Sequence, residues 1–348
     1  MSQNERPGVY TSYQVTSTLT GKGSGGAVGL AACAAAGTVG QLTEITAYAQ
    51  AIAAYGEGSA MAKLIRVLLL GGAAKVIATP VLVGSGTATT ANYTAAFAVL
   101  MQNSAVRYMV CDSRDAAVLG AMKTAITGAD SEKTKYRIGL GEMSGTASAL
   151  TAAAAVLNCE RMVLVSPGEK SGTPGAVAAA VAAVISGSDD PALPLNGAEL
   201  AGLGELSGSF SDSDITTLVQ GGVTPVETVG GAVSVVRAVT SRTTTNSVAD
   251  ATWRELSTIL IVDTVIPTVR DALRAKFARV KNTAQTRGAI RTAVVVELEQ
   301  LLSREIIESY GDVSAAADEA DPTVCDVSFA FTVAHGLCRI SLVANIKV

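Results

Sequence analysis

Histidine occurs once in the 348 residues, at His335. Ser-His-Asp triads, Cys-His dyads and multi-histidine metal centres all draw on imidazole, so one copy fits none of them well. Carboxylate-, lysine- and cofactor-based chemistry stays open. The five cysteines, Cys33, Cys111, Cys159, Cys325 and Cys338, are scattered and contain no C-x-x-C pair. An odd, dispersed set argues against a disulfide framework or a zinc ribbon and reads as single buried thiols in a reducing cytosol. Gly21-Lys22-Gly23-Ser24-Gly25-Gly26 matches G-x-G-x-x-G, with Glu44 about where a ribose-binding acid would stand. Dinucleotide binding requires that turn to join a buried strand to a helix. Here Val15–Thr20 is Thr/Ser-rich and Ala27–Ala32 reads as a strand. Gly168-Glu169-Lys170-Ser171-Gly172 lacks the spacing of a phosphate loop, and Ser144 in Gly141-Glu142-Met143-Ser144-Gly145 is not a nucleophile elbow. Between Val265 and Val296 stand Arg270, Arg274, Lys276, Arg279, Lys281, Arg287 and Arg291, against one acid, Asp271. At about 100° per residue, Arg270, Arg274 and Lys281 share a narrow stripe bordering an apolar helix face. Such a stripe can dock an acidic surface.

The elements that would carry these residues follow from composition and periodicity. Hydrophobic residues make up 49% of the chain, charged residues 16% and aromatics 4%, so it buries a core built mostly of Ala and Val. No apolar run approaches the ~18 residues of a membrane span, and the polar start MSQNERPG gives no sign of a signal peptide. The net charge of −4 offers no global attraction to nucleic acid. Strands are expected over Ala27–Ala32, Lys75–Val83, Val106–Cys111, Tyr136–Leu140 and Arg161–Val165. Helices are expected over Thr46–Tyr55, Asn92–Gln102, Asp115–Ile126, Ala147–Leu157 and Pro174–Ile185, with Asp115 and Thr173 as N-caps. Strands alternating with helices imply βαβ units and a mostly parallel sheet. Gly187–Gly231 reads as a connector with a short helix near Ser213–Gln220.

Beyond Gly231 the pattern predicts a strand at Ala232–Thr240 and a capping box at Ser247-x-x-Asp250 opening a long helix. The apolar stripe of that helix is Ile259, Val262, Ile266, Val269, Leu273, Phe277 and Val280, and Pro267 predicts a kink or a two-part helix. A second helix is expected over Arg287–Tyr310, stopped by Gly311, followed by an acidic loop with Asp312, Asp318, Glu319, Asp321 and Asp326. Val327, Phe329, Phe331 and Val333 alternate as one strand, and Ile340, Leu342, Ala344, Ile346 and Val348 as a last one. At the other terminus Val9, Tyr13, Val15 and Leu19 share one side of an extended segment and Tyr10 stands on the other. Extended segments at both ends are suited to pairing across subunits, since open edges are what chains use to add to one another.

Taken together, the chain resembles the contractile-tail sheath proteins of bacteriophage tails, tailocins and related injection machines. The resemblance is carried by Arg6-Pro7-Gly8-Val9-Tyr10, by Gly37-Thr38-Val39-Gly40, Ile45-Thr46 and Tyr55-Gly56, and by the Asp190-Pro191, Pro194 and Asn196 connector. It is strongest over about Gly222–Val348, in Val235-Val236-Arg237-Ala238-Val239-Thr240, the Trp253–Lys281 helix with Lys281-Asn282-Thr283, and the Ile340–Val348 strand. It implies an α/β (α+β overall) architecture: an extended arm over 1–22, an α/β domain over 23–230, a C-terminal helix-and-strand domain facing the tube over 231–334, and a strand arm over 335–348. It implies a structural, non-enzymatic subunit without cofactor or metal that polymerises helically with itself around an inner tail tube protein. Contraction would drive that tube through a cell envelope. Strand exchange would use Val9, Tyr10, Tyr13, Val15, Ile340, Leu342 and Ile346, and Arg270, Arg274, Lys276, Arg279 and Lys281 would face the tube. Baseplate and tail terminator proteins are further implied partners, with no direct nucleic-acid contact and no membrane insertion. Assembly would take place in the bacterial cytoplasm, into a virion tail or tail-like particle. The alternative is a cofactor-binding α/β enzyme that holds a nucleotide at Gly21–Gly26.

Overall fold

The computed structural model describes residues 26–128, 136–338 and 342. In chain order the first half runs β1 (Ala27–Ala34), β2 (Thr43–Ile45), α1 (Tyr48–Tyr55), α2 (Ala60–Leu70), β3 (Val76–Val83), α3 (Thr90–Met101), β4 (Val106–Cys111), α4 (Ala116–Thr127), β5 (Ile138–Glu142), α5 (Ala147–Leu157), β6 (Met162–Ser166) and α6 (Ala176–Gly187). After it come α7 (Asp212–Gln220), β7 (Val223–Val229), β8 (Ala232–Val235), β9 (Thr244–Thr245), β10 (Val248–Ala249), α8 (Leu256–Lys276), α9 (Ala284–Ser303), β11 (Ile307–Ala317) and β12 (Cys325–Val333).

One sheet takes eight of the strands in the order β2-β3-β1-β4-β5-β6-β7-β8. The six inner strands are parallel and the two edge strands antiparallel. β1 (AVGLAACA) and β5 (IGLGE) carry small residues that let helices close on both faces of the sheet, while β3 and β6 are Val-rich. On one face α1, α2 and α6 pack around Leu30, Leu64, Leu68 and Val181. On the other, α3, α4, α5 and α7 close over Ile77, Phe97, Met109 and Leu164. Gly71 is one place where a side chain cannot be tolerated, because a Cβ there would stand 2.5 Å from that of Ala183 in α6.

The mostly parallel α/β sheet agrees with expectation, and α5 coincides with its expected span. Several elements differ. The Gly187–Gly231 connector contains β7, a full sheet strand whose alternation is obscured by Pro225, paired opposite Ser166. Thr173 and Pro174 do not open α6: Gly175, at φ 85°, is its N-cap. Only Gly fits there, since a Cβ would lie 2.0 Å from the Cys111 carbonyl oxygen. The Val-rich strand ends at Val235. Ser247-x-x-Asp250 caps no helix. Asn246 and Ser247 both have positive φ, 49° and 65°, and form the two-residue turn of the β9–β10 hairpin. Asp250 accepts from Thr245 Oγ1 at 2.5 Å and from the Thr252 amide at 2.9 Å. The helix starts at Leu256 and passes Pro267 as one element. The second long helix ends at Ser303, not Tyr310. Glu305 at φ 58° turns the chain, and Tyr310, Gly311 and Asp312 lie in β11, with Asp326 in β12.

Arg137 is only 1% exposed, the largest fully buried side chain among the described residues. Its guanidinium donates to the carbonyls of Val106 (2.9 Å), Met101 (2.9 Å) and Asn103 (2.6 Å), closing the C-terminal end of α3 against β4. Burial, with Arg107 nearby, lowers its pKa below the ordinary arginine value. Arg137→Met is expected to cost about 3–5 kcal/mol in urea denaturation, because one buried and two half-buried carbonyls lose their donors at once. Arg137→Lys restores only part of this, since an ammonium cannot reproduce the planar fork. A loss below about 1 kcal/mol for the Met variant would refute this role.

Candidate functional site

In doubly wound sheets a ligand crevice opens at the carboxyl ends of the strands, where crossovers leave in opposite directions. Here that point lies between β1 and β4, and the chain's own side chains fill it. Asp112, just after β4, accepts from the Cys33 amide at 2.8 Å and the Tyr93 hydroxyl at 2.7 Å. Burial, with the Asp112 carboxylate beside it, pushes the Cys33 thiol up to about 11. Burial holds Cys111 near 12. Next along the edge, the fully buried Glu142 accepts from Arg114 Nε at 2.6 Å and from the Val177 amide in the first turn of α6 at 2.7 Å. Burial raises the Glu142 pKa, and Arg114 and the helix amides pull it back only in part. The N-terminus of α6, where a phosphate would sit in a nucleotide-binding fold, is thus satisfied by a carboxylate.

The glycine-rich run gives a nucleotide no better seat. Gly21–Gly25 lie outside the described residues, and Gly26 leads directly into β1, a strand and not a helix. The Gly168–Gly172 loop is tied down locally: Glu169 accepts from the Gly204 amide at 2.5 Å, and Lys170 pairs with Glu205 at 3.0 Å. Ser144 Oγ accepts from the Gly168 amide at 3.1 Å. His335 is exposed. Among the described residues no group of three His, Cys, Asp or Glu side chains could hold a metal.

The C-terminal third is organised differently. The first turns of α8 bury Leu256, Ile259 and Leu260 in the core on one face of the sheet. Its later turns bury Ile261, Val265 and Val269 with Val294, Leu298 and Leu301 of α9, and Ile307 of β11, in a second core. One helix therefore belongs to both cores. A buried ion pair fixes it: Arg161, beside β6, bonds Asp263 through both nitrogens at 2.7 and 2.8 Å. The guanidinium carbons of Arg161 and Arg270 lie over the Tyr136 ring, 5.9 and 5.5 Å from its centroid.

The five basic residues expected to face a tube divide three ways. Arg270 is half-buried, stacked on Tyr136 and paired with Asp271 at 3.1 Å. Lys276 reaches Glu297 of α9 at 3.1 Å. Arg274 is exposed on the last turn of α8. Arg279 and Lys281 are exposed too, but the helix ends at Lys276, so they sit in the loop before α9. The helical stripe linking Lys281 to Arg270 and Arg274 is therefore not formed. Arg287 and Arg291 brace instead, donating to Asn282 Oδ1 (2.9 Å) and the Val313 carbonyl (2.8 Å). Asn282 in turn donates to the carbonyls of Pro322 and Val324, both at 2.8 Å. This brings the basic loop against the β11–β12 turn that carries Asp318, Glu319 and Asp321, so the corner has mixed charge.

The β11–β12 hairpin lies on α9 through Tyr310, Val313, Val327, Phe329, Phe331 and Val333. It is a separate two-stranded sheet, so among the described residues neither outer edge has a sheet partner. The two edges differ. Register shifts at Ile307/Ser309 and Gly311/Ser314 place an extra residue in β11 each time, and Arg291 occupies the Val313 carbonyl. β12 is regular throughout. Val9, Tyr10, Tyr13, Val15, Ile340 and Ile346, the residues expected to exchange, lie outside the described residues, while Leu342 is 90% exposed.

Residues 86–241 match the phage tail sheath protein central domain, and residues 248–347 match the phage tail sheath C-terminal domain. The chain belongs to the phage tail sheath family. Membership makes it a structural subunit of a contractile tail sheath. The sheath fold recurs in solved structures at low identity. A chain of the anti-feeding prophage baseplate superposes with TM-score 0.78 at 15% identity, covering 99% of this chain and 100% of that one. The anti-feeding prophage helical sheath in its contracted state gives 0.71 at 14% identity, with 99% of each chain covered. A sheath tail protein from Desulfitobacterium hafniense gives 0.70 at 13% identity, with 94% of this chain and 100% of that one covered. No curated protein matches.

In this sheath subunit three features escape sequence reasoning. β11 was hidden because Ile306 and Ile307 continue the helical spacing of Leu298, Leu301 and Leu302. The Arg161–Asp263 bond joins residues 102 apart in sequence. The plug at Glu142 ends an otherwise apolar buried strand, and a carboxylate in that place was its available signal.

Proposed function

We propose that this subunit polymerises helically with copies of itself around an inner tail tube, and that contraction of the polymer drives the tube through a cell envelope. The observation that carries this reading is the β11–β12 hairpin, which is anchored on α9 and ends in a regular β12 edge that has no sheet partner among the described residues. Strand addition to such an edge makes main-chain hydrogen bonds that survive sliding and rotation of the bodies they link. Its donors are the terminal segments, with Val9, Tyr10, Tyr13 and Val15 from one end and Ile340, Leu342 and Ile346 from the other. The bulges of β11 protect the opposite edge, so strands add on one side only.

In this reading 1–22 and 335–348 are exchanged arms, 23–230 is the α/β body, and 231–334 carries α8 and α9 towards the tube. Head-to-tail contacts that do not close build a helix and not a ring. The anti-feeding prophage matches come from a helical sheath and a baseplate, which favours self-association and a seat at a baseplate for this chain. Tube and tail terminator proteins complete the partners, the particle is a virion tail or tail-like particle, and assembly takes place in the bacterial cytoplasm. The role is mechanical and not catalytic.

Negative-stain microscopy of the full-length protein tests this. Regular tubes are expected without added ligand. A chain that stays monomeric at every concentration and salt, and whose melting temperature rises with a dinucleotide, would overturn the reading in favour of the enzyme.

A further inference from the structure

A cleft of about 210 Å³ opens beneath the sheet, between α6, α8 and the connector after α6. Its walls are largely apolar, with Tyr108, Ile138, Val184, Leu193, Leu195 and Leu260 among them. Leu195 and Leu260 are 9% and 8% exposed, whereas Leu193 at the mouth is 61% exposed. Pro191 and Pro194 stiffen the rim. Gly26 lies on the same rim, pressed so closely on Arg107 that a Cβ would stand 2.1 Å from its Cγ. The described chain therefore begins at the rim of this cleft.

Three stretches of chain outside the described residues are at hand, and their chemistry distinguishes them. Residues 129–135, which rejoin the fold at Tyr136 on the cleft wall, read Ala-Asp-Ser-Glu-Lys-Thr-Lys and offer no side chain larger than Ala to an apolar site. The C-terminal tail follows Cys338, which accepts a hydrogen bond from Asn196 at 3.3 Å in a neighbouring cleft; that cleft shares Leu193, Pro194 and Leu195 with this one but is lined beyond them by Arg237, Glu255 and Ser257. The N-terminal segment has the right character. Thr20–Gly25 contains no apolar side chain, and the first one met going backwards is Leu19. Six residues span up to about 20 Å, so Leu19 reaches the cleft on a tether that keeps its local concentration in the millimolar range or above.

We propose that Leu19 of the same chain seats in this cleft and roots the N-terminal arm on its own subunit, leaving Val9–Val15 to extend to a neighbour. The root sets where the arm departs, next to Gly26 and the connector prolines. Pull on the arm is then delivered to the sheet and α8 and not to the free glycine tether.

The test uses the full-length protein with the exposed Cys338 replaced by Ser, adding Leu19→Cys and Leu193→Cys, oxidised at low concentration. The expected result is a faster-migrating, reductant-reversible monomer on a non-reducing gel. Thr18→Cys in place of Leu19→Cys, on the opposite side of the alternation, should close several-fold more slowly. Mixing chains that carry only one of the two cysteines distinguishes self from neighbour. Cross-linked dimers from that mixture, equal rates for positions 18 and 19, or no cross-link would each overturn the proposal. In a second measurement Leu19→Asp should lower the melting temperature by about 2–4 °C, and Leu19→Met should not; an unmoved Asp variant also overturns it. Neither readout depends on tube formation, so the sheath reading and the arm root can fail separately.

Discussion

A chain lacking Met1–Val15 is expected to melt as a cooperative unit at the parent temperature and to form no tubes. Three hydrophobic clusters, one on each face of the sheet and one around α8 and α9, are built from the described residues, and the cooperative melt is expected to rest on them and not on the arm. What the truncation removes is the strand proposed to pair with the β12 edge of a neighbour. Four or so backbone hydrogen bonds at about 1 kcal/mol each come to about 4 kcal/mol per contact, or roughly a thousand-fold in association. A helical polymer repeats that loss at every subunit. Truncation after Cys338 should act in the same way through the other arm. Sedimentation and negative staining check both. Regular tubes from either shortened chain would remove strand exchange from the mechanism, and a lost cooperative melt would place the segment inside its own subunit.

The α/β half was legible because its signals are local. β1, β3 and β4 are apolar runs bounded by turn residues, and α5 starts at a Thr146 whose hydroxyl caps Ala149. Asp115 caps α4 as its sequence position suggests, accepting from the Ala117 amide at 2.8 Å. β7 was not legible: a parallel strand buried only in its first half, VTPVETV, shows neither clean alternation nor a continuous apolar run. Its place is set by β6 and β8 on either side, which is information held in the sheet and not in the segment.

The C-terminal third shows how local patterns mislead. Ser247 and Asp250 have capping-box spacing, but Asn246-Ser247 is a better hairpin turn than a helix start, and the turn prevails because both residues adopt positive φ. The basic run was legible as a run, yet its geometry was not. A stripe drawn at helical phase requires the helix to continue, and α8 stops at Lys276. Nor does the sequence reveal that Arg270 is held between Asp271 and Tyr136, or that an acidic turn 40 residues away folds back on Asn282. The candidate site was therefore visible as a list of charges and only partly as a surface.

That distinction selects the variant for the tube-facing corner. Arg270→Glu would place an acid against Asp271 and remove a cation from over the Tyr136 ring, so its effect on assembly would be mixed with an effect on the fold. Arg274 and Lys281 are exposed, and reversing both to Glu should leave the melting temperature of the subunit within about 1 °C of the parent, the usual range for surface changes away from packed groups. Tubes of the protein alone should still form, because strand exchange does not involve these residues. Assembly around an inner tube should fail or give prematurely contracted particles. Exposed ion pairs contribute only about 0–1 kcal/mol each and are screened by salt, but a sheath repeats them at every subunit. Their individual weakness suits a wall that must release the tube as it moves outward. The acidic turn gives a reciprocal control: Asp318→Asn with Glu319→Gln leaves the corner more basic and should strengthen retention of an acidic tube at raised salt. Normal extended tails from the Arg274→Glu, Lys281→Glu protein would show that this corner is a solvated surface and that the tube is held elsewhere.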